Sequence, residues 1–249
     1  MSAPLLEVCV DSYASCREAA PYADRYELCA NLVIGGTTPS LPLAEQILRD
    51  FSVPVNVLIR PRFGDFLYDS QETEEMEAQV RAFRELGVNG VVIGALTPEG
   101  ELDEEILKRL LDAAGDMPVT LHRAFDMAKE QSRALEQAVK LGFSTILTSG
   151  GMASALLGAE NLKHLNAQAA GRIRLMAGAG VNAGNIRQIH DLTGITAFHG
   201  SCRAGAIESG MRFRKSGVSM GLPGLSEYET FRTSAAEAKK CAQAVHALG

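Results

Sequence analysis

The chain has 249 residues, 46% of them hydrophobic and 22% charged, with a formal charge of -6. That composition can bury a sizeable core and is unlike a disordered chain, while the acidic balance, with no basic stripe, disfavours a nucleic-acid partner. The start lacks a basic n-region and no apolar run approaches the ~18 residues of a membrane helix, so a cytoplasmic protein is expected, and the five scattered cysteines lack a CxxC and read as free thiols.

Strand-like runs start near Leu5, Arg25, Val55, Gly90, Val119, Thr145, Ile173 and Ala197. Their mean spacing of roughly 27 residues is that of a strand plus a helix. No linker or composition shift divides the chain, so residues 1–249 are expected to form one α/β domain, a single (β/α)8 TIM barrel with an additional C-terminal helix. The first helix follows Asp11 and Ser12 and ends before Pro21. A glycine-bearing loop, 34–40, leads into a helix opened by Ser40 and Pro42 and reaching about Asp50. The long loop 61–68 is polar and aromatic, the usual place for binding groups on a rigid scaffold. Asp69 and Glu72 have capping-box spacing before a helix with Met76, Val80 and Phe83 inward and Gly87 as its stop. Gly90 to Ile93 is nearly all apolar, as in a strand covered on both faces. Asp103 opens a helix carrying Ile106, Leu107, Leu110 and Leu111, closed by Gly115. Leu135, Ala138 and Val139 mark the fifth helix, stopped by Gly142. From Gly205 to Leu225 there is no clear periodicity, although Arg212, Arg214 and Lys215 lie there, and the segment reads as a lid. Ser226 with Glu229 matches a second capping box, predicting a terminal helix that buries Tyr228, Phe231, Ala238 and Val245.

Several strands end in reactive side chains, and in a parallel barrel those ends share one mouth. Residues two apart share a strand face. The aliphatic faces suit the helix layer, which turns Glu7, Cys9 and Asp11, Glu27 and Cys29, Asn56 and Arg60, Thr120 and His122, and His199 inward. Buried carboxylates need partners, and Arg60 and His122 are the candidates for Glu7 and Glu27. Structural ion pairs closing the barrel are the plain alternative. Cys9 and Cys29 sit in matching Glu-x-Cys contexts on neighbouring strands, which puts their Cα atoms ~6 Å apart. Two thiolates that close suit a soft ion such as Cu(I); buried free cysteines acting only as small hydrophobes remain the alternative. At the end of the fifth strand His122, Arg123 and Asp126 combine a proton carrier, an anion clamp and an orienting carboxylate. Gly178 and Gly180 form a turn where backbone N–H groups can approach a phosphate, with Arg62, Ser149, His199 and Ser201 as further binding candidates. Glu27, Arg60, His122, Arg123 and Asp126 are thus the catalytic candidates of an enzyme for a small anionic or phosphorylated metabolite.

The runs Leu-Glu-Val-Cys-Val-Asp-Ser (6–12), Ala-Asp-Arg-Tyr-Glu-Leu-Cys (23–29), Gly-Gly-Thr-Thr-Pro-Ser (35–40), Ile-Arg-Pro-Arg (59–62) and Gly-Asp-Phe (64–66) resemble the CutC copper-homeostasis family. The likeness continues through Thr-Leu-His-Arg-Ala-Phe-Asp-Met (120–127), Leu-Thr-Ser-Gly (147–150), Met-Ala-Gly-Ala-Gly-Val (176–181), Phe-His (198–199) and Met-Arg-Phe-Arg (211–214), and so covers essentially the whole chain. The resemblance implies a cytoplasmic (β/α)8 barrel linked to copper handling, commonly a homo-oligomer, with a dimer as the expected form. It also implies that Cu(I) is held by two cysteines, here Cys9 and Cys29. Two readings therefore enter the structure together: a copper-binding protein, and an enzyme for a small anion.

Overall fold

Short apolar runs separated by capped helices assemble as a closed parallel barrel. The computed structural model describes residues 3–218, 220–222 and 224–249. The barrel strands are β1 (Leu5–Val10), β2 (Arg25–Leu28), β3 (Val55–Leu58), β4 (Gly90–Ile93), β5 (Val119–Leu121), β6 (Thr145–Thr148), β7 (Arg174–Ala177) and β8 (Ala197–Gly200). They pair in that order, and β8 returns to β1. Between them lie α1 (Tyr13–Ala19), α2 (Leu41–Asp50), α3 (Ser70–Leu86), α4 (Glu104–Ala114), α5 (Gln131–Leu141), α6 (Ala159–Ala169) and α7 (Ile186–Thr193).

The helix boundaries have local causes. Ser12 and Ser40 each accept an amide three residues ahead, from Ser15 and Leu43. Asp69 and Glu72 close a full capping box at α3, and Gly87 ends that helix in the left-handed region at φ 86°. The outward strand faces and the inward helix stripes merge into one core, in which Tyr26, Phe83, Phe125 and Phe198 are fully buried. Each such side chain contributes about 1.5–3 kcal/mol by leaving water. Inside the barrel, two small apolar clusters (Cys29, Leu58, Val92 and Leu147, Met176, Ala197) leave the remaining interior to polar groups.

The chain departs from expectation after β8. The helix expected from Ser226 is preceded by an antiparallel ribbon of β9 (Arg203–Glu208) and β10 (Glu229–Thr233). Phe231 therefore lies on a strand, because Glu229 to Thr233 can satisfy its backbone groups against residues 203–208. The terminal helix α8 (Ala235–His246) starts at a capping site of the same spacing, Ser234 accepting from the Glu237 amide, and buries Ala238 and Val245. It packs against α7 and α1 and so completes the ring of helices around the barrel. The described part of 205–225 is largely exposed and contributes nothing to the lining of the mouth cavity, so it does not cover the mouth as a lid; residues 219 and 223 of that segment lie outside the described residues. Among the described residues, no helix is long and apolar enough to cross a membrane.

Candidate functional site

The strand ends open into a cavity of about 310 Å³, at the small end of the range for ligand sites. One corner is built by β1, β2 and β8. Strand register explains its contents: β1 lies between β2 and β8, and Glu7 is level with Arg25 on one side and His199 on the other. Arg25 Nε donates to Glu7 Oε2 at 2.6 Å, and His199 Nδ1 lies 2.8 Å from Glu7 Oε1. One residue pair higher, Cys9 is level with Glu27. One ligand-type atom from each of Cys9, Glu27 and His199 lies within 4.8 Å of the others. Cys29 is sealed behind them, its thiol 3.5 Å from Glu27 Oε2.

Burial and charge set the ionisation of this corner. Burial works against the carboxylate of Glu7, but Arg25 and His199 outweigh it and hold its pKa below the usual range. Burial raises the pKa of Glu27, with His199 opposing. For Cys29, burial and then the Glu27 carboxylate push the thiol well up, so it holds its proton. Burial disfavours a charged His199, yet Cys9, Glu27 and the hydrogen bond to Glu7 together hold its pKa well above normal.

The facing wall comes from β3, β5 and the loops after them. Arg60, two residues beyond the end of β3, spends its terminal nitrogens on the carbonyls of Gly35 at 3.2 Å, Gly36 at 3.0 Å and Gly64 at 2.7 Å. Its guanidinium lies 4.9 Å from the Phe66 ring centre, and Phe66 in turn packs 4.8 Å from the His122 ring. His122 follows β5 and caps a short 3-10 turn, Arg123–Met127, with Nδ1 accepting the Ala124 amide at 3.1 Å. Gly94 is required beside it, since a Cβ there would come within 2.5 Å of the ring. Burial, with Arg60 adding to it, lowers the His122 pKa to about 3.

Of the residues singled out in the sequence, Cys9, Glu27, Arg60, His122, Arg123, Gly180, His199 and Ser201 line the cavity. Four others do not. Arg62 turns outward and pairs with Glu72 at 2.5 Å and Asp65 at 3.0 Å. Asp126 does not orient His122; it accepts from Thr148 Oγ1 at 2.6 Å and from the amides of Ser149 and Gly151, as well as from Arg123. Ser149 is consumed by that same clamp, and Gly178 is a packing position, where a Cβ would meet Leu147 at 2.5 Å. The 3-10 turn causes this: it carries Asp126 away from the strand direction and toward β6. Arg60 and His122 are not the partners of Glu7 and Glu27 either, because the register supplies Arg25 and His199 instead. Arg25 was within reach of the parity rule, sharing a face with Glu27 and Cys29. Phe66 had no signal beyond its loop.

The model of the CutC family matches residues 4–204 of the chain. A CutC family protein of Porphyromonas gingivalis is 47% identical over 235 residues, covering 92% of this chain and 93% of that protein. The human copper homeostasis protein cutC homolog is 46% identical over 226 residues, 90% of this chain and 82% of its own length. In the crystal structure of the Streptococcus agalactiae CutC protein the same fold recurs with a TM-score of 0.76 at 34% identity, covering 80% of this chain and 98% of that one. With the family model spanning most of the barrel and relatives of this identity spanning nearly the whole chain, the protein belongs to the CutC copper-homeostasis family.

Proposed function

We propose that the chain is a cytosolic copper-homeostasis protein that takes Cu(I) as cargo at the corner formed by β1, β2 and β8, with Cys9 and Cys29 as the sulfur donors. The observation that carries this reading is the convergence of Cys9, Glu27 and His199 donor atoms within 4.8 Å at a cavity wall, with the Cys29 thiol directly behind. Sulfur and imidazole nitrogen are the ligands a soft monovalent copper ion prefers, so the donor set fits the metal. His199 is then a third donor, its orientation fixed by Glu7. The Glu27 carboxylate accepts from the Cys29 thiol at 3.5 Å and is placed to take its proton when sulfur binds metal. A homodimer belongs to the same reading and is checked by light scattering. The reading is tested by anaerobic Cu(I) titration against a chromogenic competitor. One tight site is expected, weakened at least about tenfold in Cys9→Ser, in Cys29→Ser and in His199→Gln. Unchanged affinity in the double cysteine variant would falsify it.

A further inference from the structure

The wall opposite Cys9 holds a positive charge without an anion and a hydrogen-bond donor without an acceptor among the described residues. His122 Nδ1 accepts the Ala124 amide, so the single proton of the neutral ring sits on Nε2. That Nε2–H belongs to a side chain only 5% exposed and has no partner among the described residues. Arg60 is 7% exposed, its terminal nitrogens meet the neutral carbonyls of Gly35, Gly36 and Gly64 with the neutral Tyr68 hydroxyl close by, its Nε has no hydrogen-bond partner among the described residues, and none of these groups carries a negative charge. The carboxylates of the cavity are already committed: Glu7 to Arg25 and His199, Glu27 to His199 and Cys29. A buried cation without an anion and a buried N–H without an acceptor are both costly, and both side chains line one cavity. Arg123 also lines the cavity, but its charge is paired with Asp126 at 2.7 Å, and Leu32, Leu58, Phe66 and Leu147 add apolar lining.

We propose that this wall binds the carboxylate of a small organic acid, one oxygen accepting from His122 Nε2–H, the negative charge facing Arg60, and a short apolar body lying on Phe66, Leu58 and Leu147. A carboxylate matches what is offered: few free donors and, with Arg123 paired to Asp126, one positive charge without a carboxylate partner among the described residues. A phosphate group brings more charge and more acceptor oxygens than the wall can answer. The site is separate from the thiol corner and does not depend on copper binding.

The test is calorimetric titration of the reduced, metal-free protein with acetate, butyrate and benzoate, with inorganic phosphate as the comparison arm. Saturable one-site binding of at least one carboxylate is expected, weakened about tenfold or more by Arg60→Met and by His122→Phe. Because either variant can perturb the loops it holds, nitrogen NMR of the unsubstituted protein supplies a second readout. The His122 ring is expected to show the Nε2–H tautomer and an Nε2 shift that titrates with the bound carboxylate. Absence of saturable carboxylate binding, tighter binding of phosphate, or a His122 signal that stays still while carboxylate binds would each overturn the proposal.

Discussion

His122 and His199 line the same cavity, yet their surroundings drive them in opposite directions. Burial together with Arg60 takes His122 down to about 3, whereas Cys9, Glu27 and Glu7 overcome burial to raise His199. For His122 the consequence has a definite sign. Its folded pKa lies below the unfolded value, so the unfolded chain binds the extra proton first as pH falls. Its contribution to stability is intact above pH ~6.5 and is lost progressively toward pH ~3, at up to about 1.4 kcal/mol per pH unit. Urea unfolding at stepped pH is expected to show a shallower acid loss in His122→Gln than in the unsubstituted chain; identical slopes would refute the assignment. Strand parity alone had placed Cys9, Glu27, Arg60, His122 and His199 on inner faces, since alternation is a property of each strand by itself. Which cation meets which carboxylate depends on the stagger between strands, and no single strand's sequence carries that.

The turn after β5 acts as a fastener between two elements. Asp126, whose side chain is 6% exposed, accepts from Thr148, Ser149, Gly151 and Arg123 and so ties the 3-10 turn to the end of β6. Removing a buried carboxylate with that many donors leaves them unanswered, and Asp126→Ala is expected to lower stability by about 3 kcal/mol or more. Chemical unfolding monitored by far-UV dichroism measures this; a loss well under about 1 kcal/mol would mean that water replaces the carboxylate. The same segment shows why elements near loops were harder to read. Val119 to His122 has a strand period, but the tight turn that follows rotates Asp126 off the mouth, and nothing in the spacing of His122, Arg123 and Asp126 distinguishes a catalytic grouping from a clamp. At the C-terminus two Ser-x-x-Glu sites lie eight residues apart, at Ser226 and Ser234. Only the pairing of β10 with β9, a contact remote in sequence, selects the second.

Across the whole molecule, the barrel and its ring of helices are closed by the final helix, while the described residues between β9 and β10 are largely exposed. Met211, Phe213 and Leu222 in that segment are exposed, Phe213 by 75%, and exposed loops of this kind are the preferred sites of proteolytic nicking. Chymotrypsin at low dose is expected to cut first between 209 and 228. The two pieces are expected to elute together at the size of the intact chain, because α8 stays packed against α7 and α1. A first cut within α1 to α7, or separation of the pieces without denaturant, would contradict this arrangement.

Closure between first and last strands also bears on how the molecule is made. Leu5 sits level with Ala197, so one flank of β1 finds its neighbour only after the seven strands that follow it have been made. At 5–20 residues per second that delay is roughly 10–40 s. Throughout it the nascent polypeptide presents an unpaired strand edge of the sort that invites misassociation.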